Sequence, residues 1–342
     1  MSDSLTLEKT DLKLGFVALL DCTPLVVARE KGFFNKNGLN VILSKESSWA
    51  SIRDKVSFGL LDGAHMLAPM PLAATLGLNG NATPMMTALS LSQNGTAITL
   101  SQELYMALSD KISDWDNSDE VGQQFKELVQ QSQRKPVIAT VYPYSNHHYQ
   151  LRFWLNQNNI DTEDDVQLVA VPPTKMLENL STGLIDGYCV GEPWNSLALL
   201  QQIGGLLSTG HKIWGSHMEK VLGVTQKWAD ENPNTHRALI TAVYEACLWA
   251  EDPANKEELM QLLALPPYLD QAAEQLAAFE PPYSMEQHFA GDNVNCPDPD
   301  HGLFLIDQMK QCGQISTELV LDKDQIVRDV YREDLYKEWI GD

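Results

Sequence analysis

The pentapeptide Gly59-Leu60-Leu61-Asp62-Gly63 recurs 124 residues later as Gly183-Leu184-Ile185-Asp186-Gly187. The same offset relates Val17 to Val141, each near the end of a strand-like segment. One explanation is a chance match in a common helix-turn-strand motif, and the other is a duplicated structural unit. The shared register across both segments favours duplication, so the sequence predicts two lobes of the same design.

Each half of the chain alternates strand-like and helix-like segments. The predicted strands cover 12–19, 39–44, 136–142 and 166–171, and the helices between them cover 23–34 and 147–158. Their apolar residues follow the two-residue and 3.6-residue periods of strands and helices. Both halves therefore contain a βαβ unit, which predicts parallel sheets and an α/β fold of two doubly wound lobes.

The C-terminal part of the chain, from about Gly223 onward, has a helical pattern. Its predicted helices cover 235–251, 256–263, 303–312 and 323–340. The last one is amphipathic, and it is interpreted either as a packing helix or as a partner-docking helix. We expect lobe 1 to comprise 11–100 plus 205–342 with these helices, lobe 2 to comprise 101–204, and a hinged ligand cleft to lie between them.

Length and charge limit the function classes. A chain of 342 residues that is 44% hydrophobic can bury the cores of two domains. Its longest apolar stretch, 66–78, contains two prolines and is shorter than the roughly 18 residues that a membrane span needs, so no membrane insertion is expected. The net charge of -22 opposes direct binding of nucleic acid or anionic membrane.

The cysteines and the N-terminus give two further expectations. The five cysteines are odd in number and include no Cys-x-x-Cys pair, so they predict neither a disulfide framework nor a zinc site. The opening residues 1–9 contain no basic, apolar or cleavage segment of a leader peptide, which predicts a cytoplasmic protein.

Common enzyme motifs do not match this sequence. It has no Gly-x-Gly-x-x-Gly after the first strand, no phosphate-binding Walker loop, no Gly-x-Ser-x-Gly elbow and no His-Glu-x-x-His. The acidic stretch 292–301 lacks the ligand spacing of a calcium loop. We therefore expect no enzymatic activity, no cofactor and no bound metal.

Candidate ligand-binding residues lie where predicted parallel strands end, which is where doubly wound sheets bind their ligands. An oxyanion such as nitrate only accepts hydrogen bonds, so it requires donors on every edge. The loops supply an indole N–H, two amides, a ring N–H and an ammonium. These donors belong to Trp49, Gln93, Asn94, His147 and Lys220.

Each of these donors also has a purely structural interpretation. A tryptophan such as Trp49 is more often a core residue, His147 can serve as a helix cap, and a lone lysine such as Lys220 is usually a solvated surface charge. The polar loop 47–51 and the loop position of His147 favour ligand contact for the first two. His65 is interpreted as a satisfied buried histidine beside Asp62.

Several strings in the chain resemble a known family. They are Ala28-Arg29-Glu30-Lys31-Gly32-Phe33-Phe34, Ser48-Trp49-Ala50, Val171-Pro172-Pro173, Cys189-Val190-Gly191-Glu192-Pro193-Trp194 and Glu219-Lys220-Val221-Leu222-Gly223. Over about residues 13–315 the sequence resembles the nitrate and bicarbonate binding proteins of ABC transporters. This resemblance implies the type II periplasmic-binding-protein fold.

The resemblance also implies a ligand set. The family's ligand positions fall on Trp49, His147, Pro173, Val190, Gly191 and Lys220, and an amide falls in the stretch Gln93-Asn94. The lysine favours nitrate or nitrite over bicarbonate, because bicarbonate-binding relatives carry a carboxylate and calcium in its place. The sequence departs from the family pattern at His148, where a smaller polar residue is expected.

Within that family, the run 61–72 is most similar to cytoplasmic nitrate/nitrite sensors. Those sensors hold an RNA-binding antiterminator of the ANTAR class inactive and release it when the anion binds. The resemblance therefore implies a cytoplasmic nitrate/nitrite sensor whose lobes close on the anion. The alternative is the substrate-binding component of a nitrate or bicarbonate ABC transporter.

Overall fold

The computed structural model describes residues 6–78, 80–277, 285–316 and 321–341. The chain divides into two compact units. Unit 1 contains Met1–Gln93, Met218–Ala277 and His288–Asp342, and unit 2 contains Asn94–His217 and Ala278–Gln287. The segments 94–100 and 205–217, which the sequence assigns to lobe 1, belong to unit 2 because their strands complete its sheet. Residues 1–5, part of the stretch from which a missing leader is predicted, lie outside the described residues.

Ten strands and seventeen α-helices are present in the described part of the chain. The strands are β1 (Asp11–Val17), β2 (Asn40–Glu46), β3 (Gly63–Leu67), β4 (Met85–Gln93), β5 (Thr96–Ser101), β6 (Val137–Thr140), β7 (Gln167–Ala170), β8 (Gly187–Gly191), β9 (Gly204–Thr209) and β10 (Met218–Thr225). Unit 1 contains β1 to β4 and β10, and unit 2 contains β5 to β9.

The helices of unit 2 alternate with its strands along the chain, whereas unit 1 also contains the helices that follow its last strand. Unit 1 contains α1 (Thr23–Glu30), α2 (Phe33–Lys36), α3 (Trp49–Ser57), α4 (Pro69–Thr75), α11 (Gln226–Glu231), α12 (Pro233–Glu251), α13 (Lys256–Ala264), α14 (Ala273–Ala277), α15 (Pro299–Gln311), α16 (Lys323–Val330) and α17 (Glu333–Trp339). Unit 2 contains α5 (Gln102–Ser109), α6 (Ser118–Gln131), α7 (Asn146–Gln157), α8 (Met176–Ser181), α9 (Trp194–Leu200) and α10 (Gly210–Trp214).

The two sheets have the same topology. Unit 1 has the strand order β2-β1-β3-β10-β4 and unit 2 the order β7-β6-β8-β5-β9. In each, the first three strands are parallel and the fourth is antiparallel to its neighbours, so both sheets are mixed rather than purely parallel. Leu14 pairs with Gly63 in unit 1, and Ile138 pairs with Gly187 in unit 2. These pairs differ by 124 residues, which confirms the predicted duplication.

The repeated aspartate has the same task in both units. Asp62 accepts the backbone N–H of Lys13 at 2.9 Å, and Asp186 accepts that of Val137 at 2.7 Å. Each carboxylate thus satisfies a backbone donor of the equivalent strand of its own sheet, β1 in unit 1 and β6 in unit 2. The sequence repeat therefore preserves one structural role. In each unit an aspartate at the end of the turn before β3 or β8 forms a hydrogen bond with the neighbouring parallel strand.

Short helices near the sheets begin at side-chain caps. Ser48 accepts the N–H of Ser51 at the start of α3, and Ser145 accepts the N–H of His148 at the start of α7. The cap of α7 is therefore Ser145 and not His147, which is the second residue of that helix.

The C-terminal part differs from its prediction in two places. The region 218–225 is the strand β10, so the helical part begins only after it. The single helix expected over 323–340 is broken into α16 and α17, because Tyr331 forms a bridge with Thr87 and Arg332 donates its N–H to the Thr87 carbonyl. The side chains of α17 are less buried than those of α16, which buries Val327 and Val330.

Each unit has its own apolar core. In unit 2 the core lies between the sheet and helices α6 and α7, where Phe125 and Trp154 pack with ring centroids 5.5 Å apart. In unit 1 the helix α12 buries one face against α1 and β4. Among the described residues, no helix has the length and hydropathy needed to cross a membrane.

Candidate functional site

A cluster of buried charges lies at the carboxyl end of β3 in unit 1. Lys220 is directly opposite Leu67, the last residue of β3, in the antiparallel register of β10. Around it are Asp21, which precedes α1, His65 on β3, and Glu219 on β10. All four polar residues are at most 1% exposed. This cluster of Asp21, His65, Glu219 and Lys220 is referred to below as the Lys220 cluster.

Two ion pairs and one histidine–carboxylate contact connect the members of the Lys220 cluster. The Lys220 Nζ lies 2.6 Å from Asp21 Oδ2 and 2.7 Å from Glu219 Oε1. The His65 Nε2 lies 2.7 Å from Asp21 Oδ1. Glu219 and Lys220 are neighbours in a strand, where side chains normally alternate, but the register of β10 against β4 is irregular on both sides of Lys220. Such an irregularity re-aims a side chain, which explains how both point to one place.

The protonation states in the cluster follow from burial and charge. Burial alone lowers the pKa of Lys220, but the charges of Asp21 and Glu219 outweigh it, so that its pKa is raised. Burial would raise the pKa of Asp21, but Lys220 and His65 lower it overall. For His65 burial prevails over the attraction of Asp21, and its pKa is lowered. At neutral pH, Lys220 is therefore charged, Asp21 is ionised and His65 is neutral.

Trp49 completes this arrangement as the first residue of α3. It is fully buried, its ring centroid lies 5.7 Å from the Lys220 Nζ, and it lies 5.2 Å from the His65 ring. A cation at that distance is attracted by the indole ring. The indole Nε1 has no hydrogen-bond partner within the described part of the chain. Because an indole nitrogen only donates, this N–H is available to an acceptor.

Ser92 supplies a second buried donor next to Lys220 in the sheet. It is the residue that pairs with Lys220 in the register of β4 with β10. Its hydroxyl is fully buried and has no hydrogen-bond partner in the residues that the structure covers. Lys220, Trp49 and Ser92 therefore offer donors beside a pair of carboxylates that already hold the lysine.

In unit 2 the predicted site residues follow the carboxyl ends of the parallel strands. His147 follows β6, Pro173 follows β7, and Val190 and Gly191 end β8. Since these strands are parallel neighbours, the residues lie at one edge of the unit 2 sheet. All four are buried. The Val190 carbonyl accepts the Asn195 side-chain amide at 2.8 Å, which fixes the turn after β8.

Glu192, next to these residues, is a buried acid of unit 2. It is fully buried, and its Oε2 accepts the N–H of Ser196 at 3.2 Å. Burial raises the pKa of this carboxyl to about 8, so at neutral pH it is mostly protonated. A protonated carboxyl can donate a hydrogen bond as well as accept one.

The predicted amides of Gln93 and Asn94 already have backbone partners. The Gln93 Nε2 donates to the Asn293 carbonyl at 2.9 Å, and the Asn94 Nδ2 donates to the Glu286 carbonyl at 3.0 Å. The Asn94 Oδ1 also accepts the N–H of His217. Both side chains tie loops to the ends of β4 and β5. Their predicted role as ligands gains no support from these contacts.

One other expectation about a histidine changes, and the structure defines the surroundings of His148. His65 is paired with Asp21 and not with Asp62, which instead accepts the Trp228 indole N–H at 2.9 Å. The N–H of His148 is bonded to the Ser145 hydroxyl, so it is already satisfied. Burial lowers the pKa of the His148 ring to about 4, which keeps that ring neutral.

The sequence missed Asp21, His65, Ser92 and Glu219 as members of the site. Asp21 lies between β1 and α1, and Ser92 lies near the end of β4, but nothing in their spacing distinguishes them from their neighbours. The juxtaposition of β3, β4 and β10 brings these residues together. A buried lysine requires counter-charges, and the adjacent Glu219 was the signal that could have been used.

Comparison with known proteins identifies the family. The sequence model of the NMT1-like family matches residues 6–264. The chain belongs to this family. A solved structure, the crystal structure of the periplasmic nitrate-binding protein NrtA from Synechocystis PCC 6803, is 31% identical with a TM-score of 0.88. The match covers 98% of this chain and 89% of that protein, which confirms the periplasmic-binding-protein fold.

Two curated relatives of this NMT1-like chain are larger proteins. The bicarbonate transport ATP-binding protein CmpC of Synechococcus elongatus is 40% identical over 315 residues, which cover 90% of this chain and 46% of that protein. The nitrate import ATP-binding protein NrtC of Synechocystis sp. is 38% identical over 350 residues, which cover 97% of this chain and 50% of that protein. The chain spans about half the length of these relatives.

Proposed function

We propose that this chain is the nitrate- or nitrite-binding component of an ABC-type import system. The observation that carries the proposal is the fully buried ammonium of Lys220 beside the unpartnered indole N–H of Trp49 and hydroxyl of Ser92. Nitrate and nitrite are small acceptor-only anions, and such donors replace the hydration that they lose on burial.

The two carboxylates of the cluster are compatible with an anion ligand. Asp21 and Glu219 occupy two of the three N–H donors of Lys220, and they keep the ammonium charged and fixed in place. The remaining N–H is a charge-assisted donor, which binds an oxyanion more strongly than a neutral donor does. The carboxylates thus orient the lysine while its third donor serves the ligand.

The relatives support both the ligand and the transport context. NrtA is named as a nitrate-binding protein, and NrtC as an ATP-binding protein of nitrate import. CmpC, however, is named for bicarbonate transport. Bicarbonate carries a hydroxyl donor and was expected to require calcium. The buried ammonium of Lys220 lies at the position where the family resemblance implies a carboxylate and calcium in bicarbonate-binding proteins, which favours nitrate or nitrite.

Replacing Trp49 by Phe tests the site without removing a charge. The substitution keeps most of the ring but deletes the donor, and a hydrogen bond to a charged group contributes about 1.5–3 kcal/mol. We expect the Kd for nitrate, measured by titration calorimetry, to rise at least about tenfold. The matched control is Trp228→Phe, which deletes an indole N–H that is bonded to Asp62. Its Kd should stay unchanged.

The same titration discriminates among ligands. Nitrate, nitrite, and bicarbonate with and without calcium are each added to the wild-type chain. Binding of nitrate or nitrite that is weakened only by Trp49→Phe supports the proposal. Binding of bicarbonate alone, or equal weakening by both variants, contradicts it.

A second candidate is a cytoplasmic nitrate/nitrite sensor that sequesters an ANTAR-class antiterminator and releases it when the anion binds. The run 61–72 and the net charge of -22, which attracts a basic RNA-binding partner, favour it. Gel filtration of the chain with such a protein provides the test. A complex that dissociates on addition of nitrate supports the sensor, whereas no complex at low salt removes it.

A further inference from the structure

The Lys220 cluster has an excess of negative charge before any anion is bound. Asp21 and Glu219 are two carboxylates, Lys220 is one ammonium, and burial keeps His65 neutral. All four side chains are at most 1% exposed, so water screens them poorly. An entering nitrate adds a second uncompensated negative charge to a buried site. A charge of that kind is strongly unfavourable unless a positive charge appears with it.

His65 is the group in the cluster that can supply this positive charge. The His65 Nε2 lies 2.7 Å from Asp21 Oδ1, at an angle that satisfies neither atom as a hydrogen bond. Because Asp21 is ionised and only accepts hydrogen bonds, a bare Nε2 lone pair at this distance would be repelled, so Nε2 carries the ring proton. The neutral ring then has a bare lone pair on Nδ1. This Nδ1 is buried and has no hydrogen-bond partner among the residues described. Protonation of Nδ1 therefore creates both a positive charge and a new donor.

We propose that anion binding at this site is coupled to the uptake of one proton at the His65 Nδ1. The inference rests on the proposed function, since it assigns a second ligand, a proton, to the same site. The bound anion and the protonated ring stabilise each other, and by linkage each raises the affinity for the other by the same factor. The ligand taken up is in effect the anion together with a proton.

The groups that face His65 are consistent with this coupling. Asp21 from the segment before α1 and Glu219 from β10 are negative and favour the imidazolium, whereas Lys220 from β10 opposes it. From α3 the neighbour is Trp49, which does not titrate. The anion adds to the two carboxylates, and this shifts the balance toward the protonated ring.

The coupling has a definite direction with pH. In the anion-free protein the pKa of His65 is lowered, so at neutral pH the ring must gain a proton when the anion binds. The affinity for nitrate therefore falls as pH rises through the neutral range, by up to about tenfold for each pH unit when one proton is taken up. Nitrate is the anion of a strong acid, so any proton taken up goes to the protein.

Calorimetry in buffers of different ionisation enthalpy measures this proton directly. Nitrate is titrated into the full chain at pH 7 in phosphate and in Tris, and the difference in binding enthalpy gives the number of protons taken up. We expect a value that approaches one. Nitrate binding with a value of zero and a pH-independent Kd overturns the inference and leaves the proposed function standing. No nitrate binding at any pH removes the proposed function itself.

Substitution of His65 identifies the proton acceptor. His65→Gln keeps a donor toward Asp21 but cannot titrate, so we expect proton uptake and the pH dependence of Kd to be lost. The control is His288→Gln, because His288 is about half exposed and pairs with Glu251 outside the cluster. Full proton uptake in the His65 variant contradicts the assignment.

A spectroscopic measurement on the wild-type chain covers the case in which His65→Gln fails to fold. The imidazole nitrogens are labelled and followed by NMR at pH 7 with and without nitrate. The His65 Nδ1 signal should move to the position of a protonated ring when nitrate is added. A ring that remains neutral in the nitrate complex overturns the inference.

Discussion

At the scale of single residues, Lys220 shows how a charge is held in the interior of the chain. Its ammonium is held by Asp21 and Glu219, and neither carboxylate is accessible to water. Removing the lysine would leave two buried carboxylates without a counter-charge, a change that typically destabilises a protein by about 3–5 kcal/mol. Substitutions of Trp49 and His65 are therefore better probes of binding than substitutions of Lys220.

Glu192 provides a residue-scale prediction about stability and pH. Its pKa is raised to about 8 by burial, from an ordinary value near 4.5. The protonated carboxyl contributes to the free energy of unfolding. This contribution is fully present below the pKa that Glu192 has in the unfolded chain, and it is lost as pH rises through its pKa in the folded chain. Between these values, stability should fall by about 1.4 kcal/mol per pH unit from this group. Urea unfolding of Glu192→Gln between pH 5 and pH 8 should show a correspondingly flatter profile.

The isosteric change makes the test specific. A glutamine side chain resembles the protonated acid in shape and hydrogen bonding, so the variant should fold. The exposed Glu163→Gln, whose side chain is 78% accessible, serves as the control and should leave the profile unchanged. An unaltered pH dependence in the Glu192 variant would show that this carboxyl does not hold its proton in the folded chain.

At the scale of elements, the strand anchors Asp62 and Asp186 should be equally important. Asp186 accepts the N–H of Val137 and a two-point contact from Arg134 at 2.6 and 2.7 Å. Burial tends to raise its pKa, but Arg134 and the Val137 N–H lower it overall. The Asp186 carboxylate therefore stabilises the folded chain above the pKa that it has in the unfolded chain, and this stabilisation is lost as pH falls through its lower pKa in the folded chain. Asp186→Asn should lower the free energy of unfolding by about 1–3 kcal/mol at pH 7, measured in urea.

The comparison with the equivalent residue sharpens this prediction. Asp62→Asn removes the acceptor of the Lys13 N–H and should destabilise the chain by a similar amount. Asp54→Asn, at a half-exposed side chain, should change the free energy by less than about 0.5 kcal/mol. If Asp186→Asn behaves like the Asp54 variant, the aspartate is not an anchor of the strand.

The sequence predicted the elements better than their assembly. Local patterns located the helices that became α7 and α12 and the strands that became β1 and β6, because burial on one face leaves a periodic trace. The strand β10 was missed since its partners lie more than 120 residues away. The break between α16 and α17 was missed because a pairing with Thr87, far along the chain, overrides local helical propensity.

The site followed the same division. Trp49 and Lys220 were predicted from loop position and family resemblance, and the structure brings them together within unit 1. The contact of His65 with Asp21 and the pairing of Ser92 with Lys220 depend on the positions and register of β3, β10 and β4. Such register is set by tertiary contacts, and a single sequence does not encode it in any short pattern.

At the scale of the whole molecule, the net charge of -22 should limit stability at low salt. Like charges repel one another across a folded surface. Salt screens this repulsion, and at 0.1 M charges more than about 10 Å apart are largely screened. We expect the Tm to rise by a few degrees between 10 and 150 mM sodium chloride. Trp49→Phe carries the same charge and should show the same increase. A Tm that is independent of salt, or an increase lost in Trp49→Phe, would contradict screening as the cause.

The place of β10 in its sheet has a consequence for biosynthesis. β10 lies between β3 and β4, although it follows all five strands of the unit 2 sheet in the chain. When a ribosome has made residues 1–217, the strands of unit 2 are all available, but β4 still lacks its neighbour. The sheet of unit 1 closes only after 218–225 emerge. Because the same strand carries Glu219 and Lys220, a nascent chain assembles the Lys220 cluster in the step that completes this sheet.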